Sequence, residues 1–528
     1  MKNKLFILWI VFFCSCNQQT HVSPVLDNMA LIPYPNNIVS TNNSLKFSSI
    51  NSIVGDQAVS YVLKIIHNEA KQLIGKLDVN NRKSSTSSSI FIQIVNDFNA
   101  LSKEAYILEI KNDRVIIKGN SYDGIYRGWQ TFSQIIKLAD QRNSHYIPTG
   151  IITDSPEFNY RGTMLDVSRH FFSLSEVKRH IDLISEYKIN YLHLHLSDDQ
   201  GWRIEIKSRP KLTLIGSKTE VGGTDGGFYS QKEYKEIVEY ASLKFITIVP
   251  EIDIPGHTNS ALVSYSKLNC DGKSKKPYIG TNVGFSTLCN NEYTFEFLED
   301  VIREISELTP GPYFHIGGDE SHVTTREDYL DFISRTSQIV KKYGKTIIGW
   351  DDINIGEIPK NTILQLWNIT QQKDTNPNDG SEYQNKAMLN VINGLNKGSK
   401  ILISPASLMY MDIKYDSLTK LGLNWAGYID VKTGYDWKIE EVFPEIPKEK
   451  IIGVEAPLWS ETISNSSEID FMTFPRLPGY AEIGWTKSSL RDWNNYKTRL
   501  AKHSRLWENN NVNYYKSHLI EWINNNTK

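Results

Sequence analysis

The sequence has little cysteine, no surplus of either charge and no long apolar run beyond its N-terminus. Its 528 residues include four Cys, and 58 Lys and Arg stand against 60 Asp and Glu, a formal charge of −2. This balance gives no electrostatic basis for binding nucleic acid or another polyanion. The lack of a later run of about 20 apolar residues excludes a transmembrane helix there. A hydrophobic content of 40% is typical of a globular protein, and the length predicts two domains.

The one apolar run near the N-terminus predicts a signal peptide. Two lysines precede the run Leu5–Phe13, which is too short to span a bilayer. The segment Phe13-Cys14-Ser15-Cys16 resembles a bacterial lipobox, in which the final Cys is lipidated, although a conventional cleavage site is the alternative. We therefore expect residues 1–24 to be a signal peptide and tether. The protein is expected to be an outer-membrane lipoprotein anchored through Cys16, facing the periplasm or the surface, or otherwise periplasmic or secreted.

Only two further cysteines, Cys270 and Cys289, remain in the mature chain. An oxidising compartment permits a disulfide between them, whereas two reduced thiols are the simpler alternative. We predict the bridge.

Residues 25–153 are predicted to form a small α+β domain. Short β-rich runs at Ser89–Val95, Ala105–Lys111 and Arg114–Gly119 are separated by turn residues. The polar tract Asn80–Ser88 is typical of a loop. Because the region contains no cluster of catalytic residue types, we interpret it as a scaffolding domain.

From Tyr160 onward, strand-like and helical segments alternate, which predicts an α/β fold. Ser173 and Glu176 form a capping-box pattern before a helix over 176–187, and helices are also predicted over 294–308 and 327–343. Eight such strands with crossover helices favour a parallel (β/α)8 TIM barrel over residues 154–528, ending in a C-terminal helix. The strand-like runs are Gly162–Val167, Ile189–Leu196, Phe245–Ile252, Tyr313–Ile316, Thr346–Trp350, Ile363–Trp367, Lys400–Ile403 and Ile451–Val454.

Acidic and aromatic residues follow nearly every predicted strand. In such barrels the chemistry lies at the C-terminal ends of the strands. Tryptophan faces cover the apolar C–H side of a sugar ring, while carboxylates and Arg bind its hydroxyls. The pattern therefore predicts a cavity for a neutral, hydroxyl-rich ligand. The strand-end segments are Asp166-Val167-Ser168-Arg169, Ser197-Asp198-Asp199, Glu251-Ile252-Asp253, Gly317-Gly318-Asp319-Glu320, Trp350-Asp351-Asp352, Trp367-Asn368 and Trp459-Ser460-Glu461.

The segment His315-Ile316-Gly317-Gly318-Asp319-Glu320 carries the strongest chemical signal. Adjacent glycines at a strand end allow a sharp turn and a close ligand approach. Two neighbouring carboxylates in one cavity repel each other, which raises the proton affinity of one so that it can act as an acid. A lone Asp-Glu pair would indicate an exposed acidic turn, but the flanking glycines and the strand end favour a catalytic pair.

This segment and three further motifs resemble glycoside hydrolase family 20, the β-N-acetylhexosaminidases. The similarity covers the barrel from about residue 160 to 485, and the preceding α+β unit resembles the N-terminal domain of the family. The further motifs are Leu165-Asp166-Val167-Ser168-Arg169-His170-Phe171, His193-Leu194-His195-Leu196-Ser197-Asp198-Asp199-Gln200-Gly201-Trp202-Arg203 and Pro250-Glu251-Ile252-Asp253-Ile254-Pro255-Gly256-His257.

The resemblance implies an exo-acting, retaining hydrolase of terminal β-linked N-acetylhexosamines, without metal or cofactor. In this family the 2-acetamido group of the substrate attacks the anomeric carbon. Glu320 is then the acid and base, Asp319 supports the charged acetamido group, and Tyr410 binds the acetamido oxygen, although a buried structural Tyr is the local alternative.

The resemblance also implies a set of residues that bind the sugar or tune the acid pair. Arg169, Glu461 and Asp412 are expected to hold the sugar hydroxyls, and Asp198 and His257 to lie beside the catalytic pair. The expected aromatic walls are Trp350, Trp367, Trp425 and Trp459. The expected partners are N-acetylhexosamine-terminated glycans, and the sequence indicates no oligomeric state.

Two other functions are compatible with parts of the sequence. His193 and His195 lie on one face of a strand, as in metal-dependent amidohydrolase barrels, but they occupy the second strand rather than the first. We expect them to pack or hydrogen-bond beneath the cavity. A non-catalytic sugar-binding protein on the same barrel would be expected to lack Glu320, which is present.

Overall fold

The computed structural model describes residues 25–75, 77–80, 88–95, 102–141, 144–368 and 380–523. These residues form a seven-stranded mixed sheet followed by a closed barrel of eight parallel strands. The predicted signal peptide, with Cys16, and residues 81–87 of the predicted polar loop lie outside the described residues. Among the helices that are described, none has the length and hydropathy to cross a bilayer.

The N-terminal sheet is covered by two helices, α1 (Ser60–Ile74) and α2 (Tyr122–Asp140). Its order is β1-β7-β5-β6-β4-β2-β3, so strands that are distant in sequence lie side by side. The three β-rich runs that the sequence predicts here are strands β4, β5 and β6. The strands are β1 (Asn37–Lys46), β2 (Ser52–Val54), β3 (Asp78–Asn80), β4 (Ser89–Ile94), β5 (Tyr106–Ile110), β6 (Val115–Gly119) and β7 (Tyr146–Asp154).

The barrel contains all eight predicted strands. Each pairs in parallel with the next, and the last closes onto the first, which confirms the predicted TIM barrel. The predicted and observed bounds differ most for the last strand, which continues four residues beyond its predicted end at Val454. The charged Glu455, which suggested that end, is buried within the strand. The strands are β8 (Tyr160–Asp166), β9 (Tyr191–His195), β10 (Thr247–Glu251), β11 (Tyr313–His315), β12 (Thr346–Trp350), β13 (Ile363–Leu366), β14 (Lys400–Ile403) and β15 (Ile451–Leu458).

Helices connect the barrel strands and pack against their outer faces. The predicted capping box is present at α3, where Ser173 and Glu176 satisfy each other's backbone N–H groups. The helices are α3 (Leu174–Ser185), α4 (Lys211–Leu214), α5 (Gln231–Leu243), α6 (Asn259–Ser264), α7 (Glu292–Leu308), α8 (Arg326–Lys342), α9 (Gly380–Asn396), α10 (Ala406–Met409), α11 (Ile439–Val442), α12 (Ser466–Thr473), α13 (Arg476–Trp485) and α14 (Trp493–Asn509).

A buried ionic cluster joins the sheet domain to the bottom of the barrel. Glu104 Oε1 lies 2.7 Å from Arg127 Nε of α2 and 2.7 Å from Arg161 Nη2 at the start of β8. Burial opposes ionisation of Glu104, but the two guanidinium groups outweigh it and lower its pKa to about 2. The first domain therefore covers the N-terminal ends of the barrel strands and leaves their C-terminal ends open.

The predicted disulfide joins Cys270 and Cys289, with 4.9 Å between their Cα atoms. It closes the loop that follows β10 and α6, on the open side of the barrel. The prediction of a bridge is confirmed.

Candidate active site

The turn after β11 brings two carboxylates to the open end of the barrel. Gly317 and Gly318 adopt φ values of 65° and 105°, and a Cβ atom on Gly317 would lie 1.7 Å from Asp253 Oδ1. Only glycine allows this turn. The Gly318 N–H donates to Asp253 Oδ1 at 2.9 Å and so fixes the turn. Asp319 and the following Glu320, itself at φ 47°, therefore lie together at the open end of the barrel.

His257 lies against both carboxylates. Its Nε2 atom is 3.8 Å from Asp319 Oδ2 and 3.6 Å from Glu320 Oε2. Burial, with the charge of Glu320, raises the pKa of Asp319 to about 7 against the opposing charge of His257. Burial also acts on Glu320, but the contact with His257 and the charge of Arg169 outweigh it and lower the pKa of Glu320. In the ligand-free protein, protonation of Asp319 is therefore favoured over protonation of Glu320.

Asp198 connects His257 to Arg169. Asp198 Oδ1 lies 3.3 Å from His257 Nδ1, and its Oδ2 lies 2.9 Å from Arg169 Nη1. Burial opposes ionisation of Asp198, but Arg169 and His257 outweigh it and hold its pKa far below the usual range. The contacts of His257 with Asp198 and the catalytic pair raise its pKa well above normal against the effect of burial. The sequence-predicted residues Arg169, Asp198 and His257 thus form one ion-paired group beside the catalytic pair.

A buried chain of alternating carboxylates and imidazoles continues from Asp198 into the barrel. Each link is a contact between side chains, and every member is nearly inaccessible to solvent. Burial favours the neutral ring of His193, but Glu455 and Glu251 outweigh it and raise its pKa to about 9. The links are Asp198 Oδ2 to His195 Nε2 at 2.7 Å, His195 Nδ1 to Glu251, Glu251 Oε2 to His193 Nε2 at 3.0 Å, and His193 Nδ1 to Glu455 Oε1 at 2.9 Å.

Three predicted tryptophans and Tyr410 line the cavity wall. The ring centroid of Trp350, which is fully buried, lies 5.8 Å from that of Trp459 and 6.3 Å from that of Trp367. Tyr410 follows α10, and its ring centroid lies 6.4 Å from that of Trp459. Trp425 contacts both Trp367 and Tyr410 but is 43% exposed, so it stands at the mouth of the cavity.

Two further carboxylates and Arg169 form the polar side of the cavity. The backbone N–H of Trp459 donates to Asp412 Oδ1 at 3.4 Å, and Glu461 Oε1 lies 3.9 Å from Arg169 Nη2. Burial and the charge of Glu461 raise the pKa of Asp412 well above its usual range. Burial likewise raises the pKa of Glu461 to about 7, against the opposing charge of Arg169. The Arg169 guanidinium also lies 4.7 Å from the ring centroid of Trp459.

Several buried polar atoms around the cavity have no hydrogen-bond partner within the protein. A buried polar group without a partner is costly, so such a cluster indicates a ligand that supplies the missing bonds. A sugar with hydroxyl and amide groups offers both donors and acceptors. The atoms are Arg169 Nε, Asp319 Oδ1, Trp350 Nε1 and Asp412 Oδ2.

The histidines of β9 face carboxylates through both ring nitrogens, as the sequence-based expectation of hydrogen bonding beneath the cavity requires. Both ring nitrogens of His193 and of His195 face carboxylate oxygens, and the pKa of each ring is raised despite burial. A protonated imidazole has no lone pair to offer a metal ion. Among the described residues, four sets of side chains lie close enough together to hold a metal ion, and Glu251, Asp253 and His257 each belong to two of these sets.

Sequence reasoning missed several residues that support the site. Asp253 fixes the glycine turn, and Glu251 and Glu455 form part of the buried chain. Asp253 and Glu251 both lie in the Pro250–His257 motif at the end of β10, so the sequence offered a signal for their place at the site. Glu455 was not identified because a charged residue suggests the end of an apolar strand. Asp352, which accepts from Trp367 Nε1 at 3.1 Å, follows Trp350 and also lies in a predicted rim segment.

Comparisons with known proteins agree with this geometry. Residues 158–488 match the catalytic domain of glycosyl hydrolase family 20, and residues 28–155 match domain 2 of the same family. The chain belongs to glycosyl hydrolase family 20. The predicted family and enzyme class, a glycoside hydrolase, are thereby confirmed.

Family members with known names cover most of the chain. A beta-N-acetylhexosaminidase of Cellulomonas fimi is 36% identical over 460 residues, covering 86% of this chain and 89% of that protein. A beta-hexosaminidase of Porphyromonas gingivalis is 30% identical and covers 96% of this chain and 67% of its own length. The structure of the Streptomyces plicatus N-acetyl-beta-hexosaminidase in complex with Thio-NAglucal superposes with a TM-score of 0.87 at 39% identity, covering 95% of this chain and 99% of that one.

Proposed function

We propose that this family 20 hydrolase removes terminal β-linked N-acetylhexosamines from the non-reducing ends of glycans, with retention of configuration. The observation that carries the proposal is the adjacent pair Asp319 and Glu320 at one cavity, with His257 Nε2 3.8 Å and 3.6 Å from their carboxylates. The named relatives, hexosaminidases, support the choice of substrate. The aromatic walls and the unpartnered polar atoms support a single sugar unit as the occupant.

The first half of the reaction uses the substrate's own amide. Its 2-acetamido oxygen attacks the anomeric carbon and forms an oxazolinium-like intermediate, while Glu320 protonates the departing glycosidic oxygen. Asp319 accepts a hydrogen bond from the acetamido N–H and balances the positive charge that develops there. Tyr410 donates its hydroxyl proton in a hydrogen bond to the acetamido oxygen and orients it for attack.

In the second half, water opens the intermediate at the anomeric carbon. Glu320, now a carboxylate, takes a proton from this water and returns to its acid form. The ring opens to restore the acetamido group, and the released sugar keeps the β configuration.

The reactive state requires a proton on Glu320, whereas in the ligand-free pair protonation of Asp319 is favoured. We infer that substrate binding moves the proton. The acetamido N–H stabilises Asp319 as a carboxylate, and a bound glycoside displaces water from the partly exposed Glu320 and so favours its neutral form.

The remaining predicted residues would hold the sugar. Arg169 and Glu461 would bind ring hydroxyls, and Asp412 would reach the 6-hydroxyl. Trp350, Trp367 and Trp459 would enclose the ring and the acetamido methyl group, with Trp425 at the mouth. A pocket enclosed by these walls would admit only a chain end.

We also propose that the protein acts outside the cytoplasm, tethered through Cys16 or released after cleavage near it. The apolar run Leu5–Phe13 and the following Cys16 are the sequence basis. The Cys270–Cys289 bridge supports an oxidising compartment.

The test is hydrolysis of 4-nitrophenyl N-acetyl-β-glucosaminide, with the anomer of the first-formed sugar followed by proton NMR. We expect the β anomer first, and no turnover of the matching glucoside, which lacks the acetamido nucleophile. Equal hydrolysis of the glucoside would contradict substrate assistance. Loss of activity on exhaustive chelation would favour the metal-dependent alternative, and folded protein without turnover would favour a sugar-binding role.

A further inference from the structure

Three non-glycine residues with left-handed backbone surround the active site. In the described part of the chain, non-glycine residues with positive φ include His257, Phe285 and Glu320, at 54°, 49° and 47°. Such conformations are unfavourable for side chains with a Cβ and concentrate where function requires them. His257 and Glu320 belong to the catalytic group. Phe285 has no role in the chemistry described above.

The ring of Phe285 is presented to solvent rather than packed in the core. The residue is 49% exposed, and its ring centroid lies 5.8 Å from that of His322, which is also exposed. Val323, the next residue, is 53% exposed. Phe285, His322 and Val323, here called the outer ridge, are all exposed in the described part of the chain, with the rings of the first two in contact.

The loop that carries Phe285 is fixed on both sides of that residue. The N–H of Gly284 donates to Asp199 Oδ2 at 2.9 Å, and the Ser286 hydroxyl donates to the other oxygen of Asp199. The N–H of Thr258, next to His257, donates to Ser286 Oγ at 2.7 Å. The side chains of Thr287 and Thr324 are hydrogen-bonded at 2.7 Å. The loop is thereby attached to the segments of both His257 and Glu320.

The position of the outer ridge relative to Glu320 indicates which part of the substrate the ridge contacts. The N–H of His322 donates to the carbonyl oxygen of Glu320 at 2.7 Å. The outer ridge therefore lies next to the catalytic acid. A general acid must lie at the glycosidic oxygen, which is the junction between the terminal sugar and the leaving group. The side chain of Glu320 is 33% exposed and that of Asp319 10%, so Glu320 is the member of the pair nearer to the open side.

We propose that the outer ridge is the subsite for the leaving sugar, and that Phe285 contacts the apolar C–H face of the pyranose to which the terminal N-acetylhexosamine is attached. The assignment rests on the proposed function, because it places Glu320 at the scissile bond. The C–H face of a sugar is apolar and flat enough to cover an aromatic ring, whereas a small alcohol as leaving group is too small to contact the outer ridge. The protein therefore distinguishes glycans from simple glycosides through Phe285.

The experiment compares two substrates that both need protonation by Glu320. One is the β-1,4-linked dimer of N-acetylglucosamine, and the other is methyl N-acetyl-β-glucosaminide, whose leaving group cannot reach the outer ridge. In Phe285→Ala we expect kcat/KM for the dimer to fall about tenfold, the size of one aromatic contact, and kcat/KM for the methyl glycoside to change less than about twofold. Phe285→Trp should restore the preference for the dimer.

Tyr61→Ala is the matched control, because Tyr61 is equally exposed at 49% but lies on α1 of the first domain. It should leave both substrates unchanged. An equal loss on both substrates in Phe285→Ala would mean that the residue acts through Glu320 or the fold, and no loss on either would mean that the ridge binds nothing; each overturns the proposal. Absence of turnover of both substrates by the unmodified protein would instead refute the proposed function itself.

Discussion

Replacing Asp319 by Asn tests how the catalytic pair shares its proton. Asp319 has a pKa of about 7, and the pKa of Glu320 is lowered from its usual value, so the pair holds one proton between these limits. The reactive form, with Glu320 protonated, contains the same number of protons. Since kcat/KM follows the singly protonated pair, we expect a bell-shaped profile whose basic limb has its midpoint at a pH of about 7.

The substitution removes the group that titrates at about pH 7. In Asp319→Asn the only remaining proton of the pair is that of Glu320, whose pKa His257 and Arg169 keep low. The basic limb should therefore move to a more acidic pH, below about 4.5, the usual value for Glu. The neutral amide also cannot balance the charged acetamido group, so kcat at the optimum should fall about 10²- to 10³-fold, the usual cost of losing one such stabilising group.

The assay is kcat/KM for the 4-nitrophenyl substrate across a pH range from about 3.5 to about 9, measured by stopped reactions for the unmodified protein and the variant. Asp113→Asn is the control, because Asp113 is exposed and forms its ion pair with its neighbour Arg114, far from the barrel. Near-normal turnover in Asp319→Asn, or a basic limb still centred at about pH 7, would refute the reasoning.

Two further predictions concern the same pair. Glu320→Gln should lower kcat/KM most for the methyl glycoside, less for the 4-nitrophenyl glycoside with its better leaving group, and least for the glycosyl fluoride, whose leaving group needs no proton; equal losses on all three would contradict the acid role. Asp319 binds its proton with a pKa of about 7 when folded against 3.8 for the free group, so the folded state loses stability as pH rises through this range. Asp319→Asn should therefore raise the free energy of unfolding at about pH 8 by up to about 4 kcal/mol, from about 3 pKa units, and by almost nothing at about pH 4. Urea unfolding at the two pH values measures the difference, and an equal effect at both would disprove the linkage.

The barrel was predictable because its strands are buried on both faces. Each reads as a short apolar run, and the acidic and aromatic residues that follow mark the open end. The glycine pair before Asp319 was recognisable because it follows one of these apolar runs directly. Glu455 was not predictable as part of a strand, since its burial depends on His193, which is 262 residues away in sequence.

The distribution of the proton within the catalytic pair was also beyond the sequence. Repulsion between Asp319 and Glu320 predicts that one pKa rises, but which one depends on the distances to His257 and on burial. Phe285 was missed because it lies in a loop without hydrophobic periodicity. Neither the exposure of its ring nor its positive φ produces a recognisable pattern in the sequence. Family resemblance located the residues of the cavity; three-dimensional contacts were needed to locate those outside it.

The alternating chain beneath the cavity has a consequence for how the enzyme can adapt to acidity. Its imidazoles have raised pKa values and its carboxylates lowered ones, so Glu455, His193, Glu251, His195 and Asp198 are all ionised near neutral pH. These five charges therefore stay the same near neutral pH, whereas burial lowers the pKa of the neighbouring His315, which lies 2.9 Å from Glu251. A shift of the optimum near neutral pH would therefore have to come from groups outside this chain, such as those that touch Asp319 and Glu320 directly.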